Sequence, residues 1–359
     1  FASSVNMEMI KKLRSESGAP IKDCKKAIEE CGDDLEAALE WMRKQGTLVR
    51  GKRANQDASQ GLIGISFAEN GETAALLEMS TETDSAARID LFHNLIAGVS
   101  QSILKDDSPN STGEGAALVM DTAALEGLSW EAADGAEAAS FGTVKEAVSD
   151  AVLQIRENIL PRRGVRLNVP GGVVAGYVHN VLPIGLDNVK VGAIGVLVGL
   201  QGAPEGSKDA AKDLAYKIAM HIAAAKPEFL SSDFMSDEQK EAQENLLTEI
   251  ARSEGKPDNV VQKMVRRTTF HLHPPPPRSI LSLLGSTSVS PPNSNLVYLS
   301  QVKGRMQKFY NETCLLEQTF LIHDGTDSAP TVKKLLQTEA KKMGSSQKSL
   351  EITSFHSFR

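Results

Sequence analysis

The sequence predicts an α+β protein, with a three-helix module at its N-terminus ahead of a two-subdomain α/β core that carries a helical insert. Three observations predict it. Residues 6–46 repeat apolar residues at helical spacing and are cut twice by turn residues. Around 61–104, and again around 165–229, short apolar runs lead into a longer helical pattern. Residues 232–265 return to helical texture without strands.

In the N-terminal module, Met9, Ile10 and Leu13 lie at helical spacing, and Gly18, Ala19 and Pro20 stop that helix. IKDCKKAIEECG forms the second helix and closes on Gly32, a natural C-cap. Asp33 and Asp34 cap a third helix, which is expected to end at Gly46. Residues 1–46 are thus a small bundle, marginal by itself and of a kind that serves for docking. Residues 47–60 are polar and aperiodic; they read as a linker with room for some helix.

Residues 61–164 form the first core subdomain. Two alternating runs flank Asn70 and Gly71, the strongest hairpin signal in the chain. The helix that follows carries Leu91, Leu95, Ile96 and Val99 on one face. The acidic stretch 106–140 reads as a loose loop with one helical segment near residues 116–125. Another helix, with Val144, Val148, Ile155 and Ile159, stops at Pro161. Residues 165–265 form the second subdomain. Its strands are RGVRLNV, VVAGYVHN and VGAIGVLVGL; its sheet-packing helix is DAAKDLAYKIAMHIAAAKPEF; its helical segment is 232–265. The recurrence of strands leading into a helix reads as a distant structural repeat. Residues 266–302 hold four consecutive prolines and many serines, and read as a disordered insert. Residues 303–359 regain ordinary texture and return to the core.

Composition excludes several classes. A net charge of −7 leaves no broad basic field for nucleic acid, and no apolar run reaches membrane-spanning length. Cys24, Cys31 and Cys314 are odd in number and form no CxxC pair, which fits a reducing compartment better than a disulfide framework. Asn110 and Asn311 open glycosylation-type triplets that read as chance. The chain begins at Phe1, as it would after removal of a targeting segment.

Catalytic patterns are weak. His271 and His273 lie in the insert without spaced carboxylates, so no metal is expected. GTLVRGKR, from Gly46 to Arg53, nearly fits a phosphate loop, but Arg53 stands where the hydroxyl should be and the run follows a helix. Glu82 and Asp84 sit two apart, on one face of an extended strand; acids at a strand end are usually solvated. Cys24 and Cys31 read as core. Without a convergent nucleophile, base or metal set, a binding protein fits better than an enzyme, and no cofactor is expected.

The run MIKKLRSESGAPIKDCKKAIEECGDDLEAALEWMRKQG strongly resembles the N-terminal module of elongation factor Ts. EMSTETDSAAR, LQIRENI, GYVHN, AMHIAAAKPEF, GKPDNVVQKMV and GRMQKF follow in that family's order, from about residue 7 to 322. The resemblance implies a ubiquitin-associated-like module, a two-subdomain α/β core and a helical hairpin insert. It implies guanine nucleotide exchange on elongation factor Tu, bound both GDP-loaded and nucleotide-free, with no nucleotide, nucleic acid or membrane bound by the chain itself. Ile21 and Lys22 match the family's contact with the GTPase domain, and His179 matches its contact histidine.

The stretch STETDSAAR carries the rest. In the family this turn reads Thr-Asp-Phe-Val, and its aspartate and phenylalanine push between GTPase helices near the magnesium site. A partner that prefers the nucleotide-free state must weaken nucleotide binding equally. Here Thr83 and Asp84 are kept, but Ser85 stands at the phenylalanine position and Ala86 at the valine position. An aromatic anchor can be worth more than about 2 kcal/mol, so the expectation is a weakened exchange factor. The alternatives are an adaptor that binds without exchange, or a wedge supplied by Phe92.

Two further departures stand out. Residues 266–302 separate Met264 and Val265 from the Lys303–Met306 segment, as translated non-coding sequence or a species-specific loop would. ITSFHSFR resembles the start of the family's last strand, expected to be incomplete. With the family, the proline-rich insert and long acidic loop point to an organelle, mitochondria ahead of chloroplast.

Overall fold

The protein was analysed as a computed structural model, which describes residues 7–32, 34–106, 117–133, 141–186, 188–253, 294–323, 328–344 and 349–359. By packing, these residues divide into two units. The larger takes those up to Lys226, those directly after Phe320 and those of Lys334–Arg359; the smaller takes those of Pro227–Phe320 and those ending at Lys333.

The larger unit begins with helices α1 (Met7–Ser17), α2 (Ile21–Cys31) and α3 (Leu35–Arg53). Ile10, Leu13, Cys24, Ala27, Ile28, Ala38 and Met42 bury a common core. Leu153 joins them from a later helix, α7 (Val144–Ile155). Asp34 caps α3 by accepting hydrogen bonds from the Glu36 and Ala37 amides at 3.0 and 3.1 Å. The third helix does not stop at Gly46; it runs on to Arg53. Gly46 serves close packing instead of capping, because a Cβ there would lie 2.7 Å from the carbonyl oxygen of Ser149 on α7. The first residues expected as linker are therefore helix, and so is the phosphate-loop-like run.

A five-stranded antiparallel sheet follows. Its strands are β1 (Gln60–Phe67), β2 (Thr73–Thr81), β3 (Ala117–Asp121), β4 (Leu160–Asn168) and β6 (Val189–Gly192), in the order β3-β4-β2-β1-β6. The hairpin expected at Asn70 forms: the Asn70 side-chain oxygen accepts from the Glu72 and Thr73 amides at 2.9 and 3.2 Å. Helices α5 (Asp90–Leu104) and α7 cover one face, where Leu77 and Met79 meet Phe92, Ile96, Val148 and Val152.

A three-stranded sheet covers the other face. It consists of β5 (Val173–His179), β7 (Ile194–Gln201) and β8 (Glu351–Phe358), in the order β5-β7-β8. Ile63, Ile65, Leu76 and Val165 pack there against Val174, Val178, Leu197 and Phe358. Helix α8 (Lys208–Ala225) lies on β5 and β7. The layers run helix, sheet, sheet, helix, so β2 is buried on both sides, and its apolar run Ala74–Leu77 and Met79 is broken at Glu78.

Three expectations about strands are corrected. The stretch near 116–125 is not one helix: Ala117–Asp121 pairs with β4 as an edge strand, and α6 (Thr122–Gly127) starts only where Asp121 accepts from the Ala124 amide at 2.9 Å. RGVRLNV belongs to the first sheet, between β2 and β3, and not to the second. VGAIGVLVGL is shared: β6 pairs with β1, while β7 pairs with β5 and β8. At the crossing, the Ala193 amide donates to the His179 carbonyl at 3.0 Å.

The smaller unit contains α9 (Asp237–Ser253), as expected, and α10 (Ser294–Thr313). Leu247 and Tyr310 pack against Val302 and Met306. Residues 294–302 of the expected disordered insert are therefore helical, because this helix has a partner in α9 to bury against. The rest of the insert and PDNVVQKMV lie outside the described residues. Helix α11 (Val332–Lys342) precedes β8.

Candidate functional site

Strand β2 ends at Thr81, and the chain turns into α4 (Asp84–Ala87). Thr83 is extended and caps this short helix, its hydroxyl oxygen accepting from the Ala86 amide at 3.2 Å. Ala86 and Ala87, buried to 2% and 4% exposure, seat the turn on the core. Thr83, Asp84 and Ser85 remain exposed. No glycine or proline is needed, because a capped helical turn reverses the strand with ordinary dihedrals.

The two acids go separate ways and do not share a strand face. Glu82 points inward: its carboxylate accepts from the Asn158 amide at 2.6 Å and from the Arg53 guanidinium at 3.1 Å. Asp84 points outward and pairs with Arg88 at 2.7 Å; both are mostly exposed, and such surface pairs add little stability.

A second carboxylate holds the turn from below. Glu157 accepts from the Thr81 hydroxyl at 3.0 Å, the Thr83 amide at 2.9 Å and the Thr83 hydroxyl at 2.7 Å. Glu157 follows Arg156, which ends α7 in a left-handed conformation with φ of 67°. Arg156 in turn forms an ion pair with Asp23, in the first turn of α2. Two residues before it, Gln154 lies under the turn between α1 and α2, where Gly18 has φ of +64° and a Cβ would meet the Gln154 side chain.

These contacts decide which expected site residues come together. Ile21, 51% exposed, and Lys22, also exposed, open α2 directly before Asp23. Thr83, Asp84, Ser85 and Ala86 form the strand-end turn. Residues 154–158 touch both places. His179 stands elsewhere, exposed at the end of β5; its Nδ1 lies 3.0 Å from the Tyr177 hydroxyl, and Tyr177 packs edge-on against Tyr216 of α8 at 5.9 Å. Phe92 is fully buried in the core.

Sequence reasoning assigned no role to Glu157, Asn158, Arg53 or Arg156. The only signal was the segment LQIRENI, whose acid and amide directly follow a helix end; the groups they bind lie 74 to 102 residues away. Among the described residues, no cluster of His, Cys, Asp or Glu could hold a metal ion, and no helix is long and apolar enough to cross a membrane. The arrangement offers the Asp84 carboxylate and the Ser85 hydroxyl on a braced, exposed turn.

A braced, exposed turn on an α+β scaffold belongs here to a class of proteins in protein synthesis, the translation elongation factors. A family model described as Elongation factor TS matches residues 82–268, more than half of the chain, beginning at this turn. Elongation factor Ts of Allorhizobium ampelinum is 32% identical over 332 residues, covering 92% of this chain and 87% of the relative. Those of Brucella anthropi and Paramagnetospirillum magneticum are each 32% identical, over 93% and 95% of this chain and 88% of each relative. The chain belongs to the elongation factor Ts family.

Proposed function

We propose that the chain is a guanine nucleotide exchange factor for elongation factor Tu, promoting GDP release by disturbing the magnesium and phosphate site of the GTPase. One observation carries the reading: Thr83, Asp84 and Ser85 are exposed at the end of a strand buried on both faces, where the family match begins. Ile21, Lys22 and His179, all exposed, are the further contacts in this reading. The partner is bound both GDP-loaded and nucleotide-free, and the binding that disturbs the phosphate site weakens GDP in equal measure. The chain itself takes no nucleotide, nucleic acid or membrane. Its setting is the mitochondrion, with the chloroplast as the alternative, which organelle fractionation of the tagged protein tests.

A second reading, an adaptor that binds elongation factor Tu without exchange, draws on Ser85. Its small side chain offers no aromatic wedge, and Phe92 has no exposed surface with which to replace one. Release of fluorescent GDP from the organism's own elongation factor Tu separates the two. Acceleration by the chain, increased about tenfold or more by Ser85→Phe, supports exchange. Tight binding with no acceleration supports the adaptor. Absence of binding sinks both.

A further inference from the structure

We propose that Glu157 is a positioning residue for exchange: it fixes the strand-end turn so that Asp84 and Ser85 meet the GTPase in a single conformation. The inference rests on the exchange reading above. Helix α4 has four residues, too few to hold its own geometry, since the first helical turn is costly to nucleate. Its orientation must come from outside. The bonds that supply it converge on one carboxylate: Glu157 takes the Thr83 amide, the Thr83 hydroxyl and the Thr81 hydroxyl at 2.9, 2.7 and 3.0 Å.

The clasp is reciprocal. While Glu157 binds the backbone of Thr83, Glu82 binds the backbone of Asn158, at 2.6 Å. Two adjacent segments thus exchange acid-to-amide bonds, and charge-assisted bonds of this kind are the stronger ones. Arg53 closes the far side on Glu82, and the Asn158 side-chain amide donates to the Gln56 carbonyl at 2.8 Å. Helix α3, β2 and the end of α7 therefore meet under a turn whose outer residues are solvent-exposed.

The position of the anchor has a second effect. Arg156 binds Asp23, so Arg156 and Glu157 hold the turns that carry Lys22 and Thr83. The two proposed docking patches thereby hang on adjacent residues. A push on the GTPase is effective only if the turn does not yield, and small displacements of a working group can cost about a hundredfold in rate.

Stopped-flow release of fluorescent GDP from elongation factor Tu tests this with the full chain, Glu157→Gln and Glu157→Ala. Gln keeps one oxygen acceptor and Ala keeps none. The expected order of maximal release rate is wild type, Gln, Ala, with Ala at least about tenfold below wild type. The concentration giving half-maximal rate should move by less than about threefold, because the docking side chains are untouched. Circular dichroism and amide exchange at Thr83 and Ala86, whose amides donate to Glu157 and to the Thr83 hydroxyl, accompany the kinetics; these amides should lose protection in the variants while the rest of the sheet keeps it. Wild-type maximal rate in Glu157→Ala overturns the inference and leaves the exchange reading standing. So does a rate that falls only in step with the unfolded fraction. No acceleration by the wild-type chain overturns the exchange reading, and this inference with it.

Discussion

Gly46 of α3 rests against the Ser149 carbonyl of α7 so closely that a Cβ would sit 2.7 Å from the oxygen. Backbone on both sides leaves no side chain to swing away. Gly46→Ala should therefore lose stability despite the helix propensity gained, by about 1 to 3 kcal/mol in urea unfolding. Gly51, on the same helix, has nothing within 4 Å of a Cβ, so Gly51→Ala should gain up to about 1 kcal/mol. Equal changes at both positions would refute the packing account.

The strand-end turn separates stability from exposure. Thr83→Ala removes a cap and one of the three bonds on Glu157, and should cost about 1 kcal/mol or slightly more. Phe92→Ala should cost about 3 to 5 kcal/mol, since the ring is fully buried. Ser85→Phe, at an exposed position, should leave the melting temperature nearly unchanged. Thermal melts of the three variants check the order.

Arg156 occupies a left-handed conformation that glycine adopts without penalty. Its compensation is the ion pair with Asp23, whose partners are 37% and 23% exposed, so water screens much of the attraction. Relief of strain should outweigh the lost pair, and Arg156→Gly is expected to be as stable as wild type or more stable by up to about 1 kcal/mol. A clear loss of stability would show that the ion pair does more than solvent screening permits.

His356 sits on β8 opposite Leu197, on the face that carries Phe358 toward the first sheet. Burial holds its imidazole below the ordinary value of 6.5. The unfolded chain therefore takes up the proton first as pH falls. Stability should be level above about pH 7 and fall as pH drops through 6.5, the loss being complete below the folded-state value. In His356→Gln the slope between about pH 7 and 5 should flatten. Urea midpoints across that range decide it.

What could be read in the sequence was what neighbours in sequence determine. Asn70 announced its hairpin because its side chain bonds amides two and three residues on. Asp34 announced a helix start for the same reason. Gly46 looked like a helix end because its purpose lies a hundred residues away, at Ser149. VGAIGVLVGL looked like one strand because apolar alternation cannot say which sheet a residue joins. At the site, exposure of the residues around Asp84 followed from polarity, whereas Glu157 was silent: a carboxylate past a helix end looks the same whether it binds water or three donors.

The crossing at Ala193 bears on how the molecule comes apart. A single residue separates β6, in the five-stranded sheet, from β7, at the centre of the three-stranded one. Pulling either sheet open drags on the other through one peptide link, with the core of Ile63, Leu76, Val178 and Leu197 between them. The two sheets are thus one cooperative unit in unfolding. Amides of Val191 and Val196 should exchange with solvent through a common global opening, with the same free energy and the same dependence on denaturant.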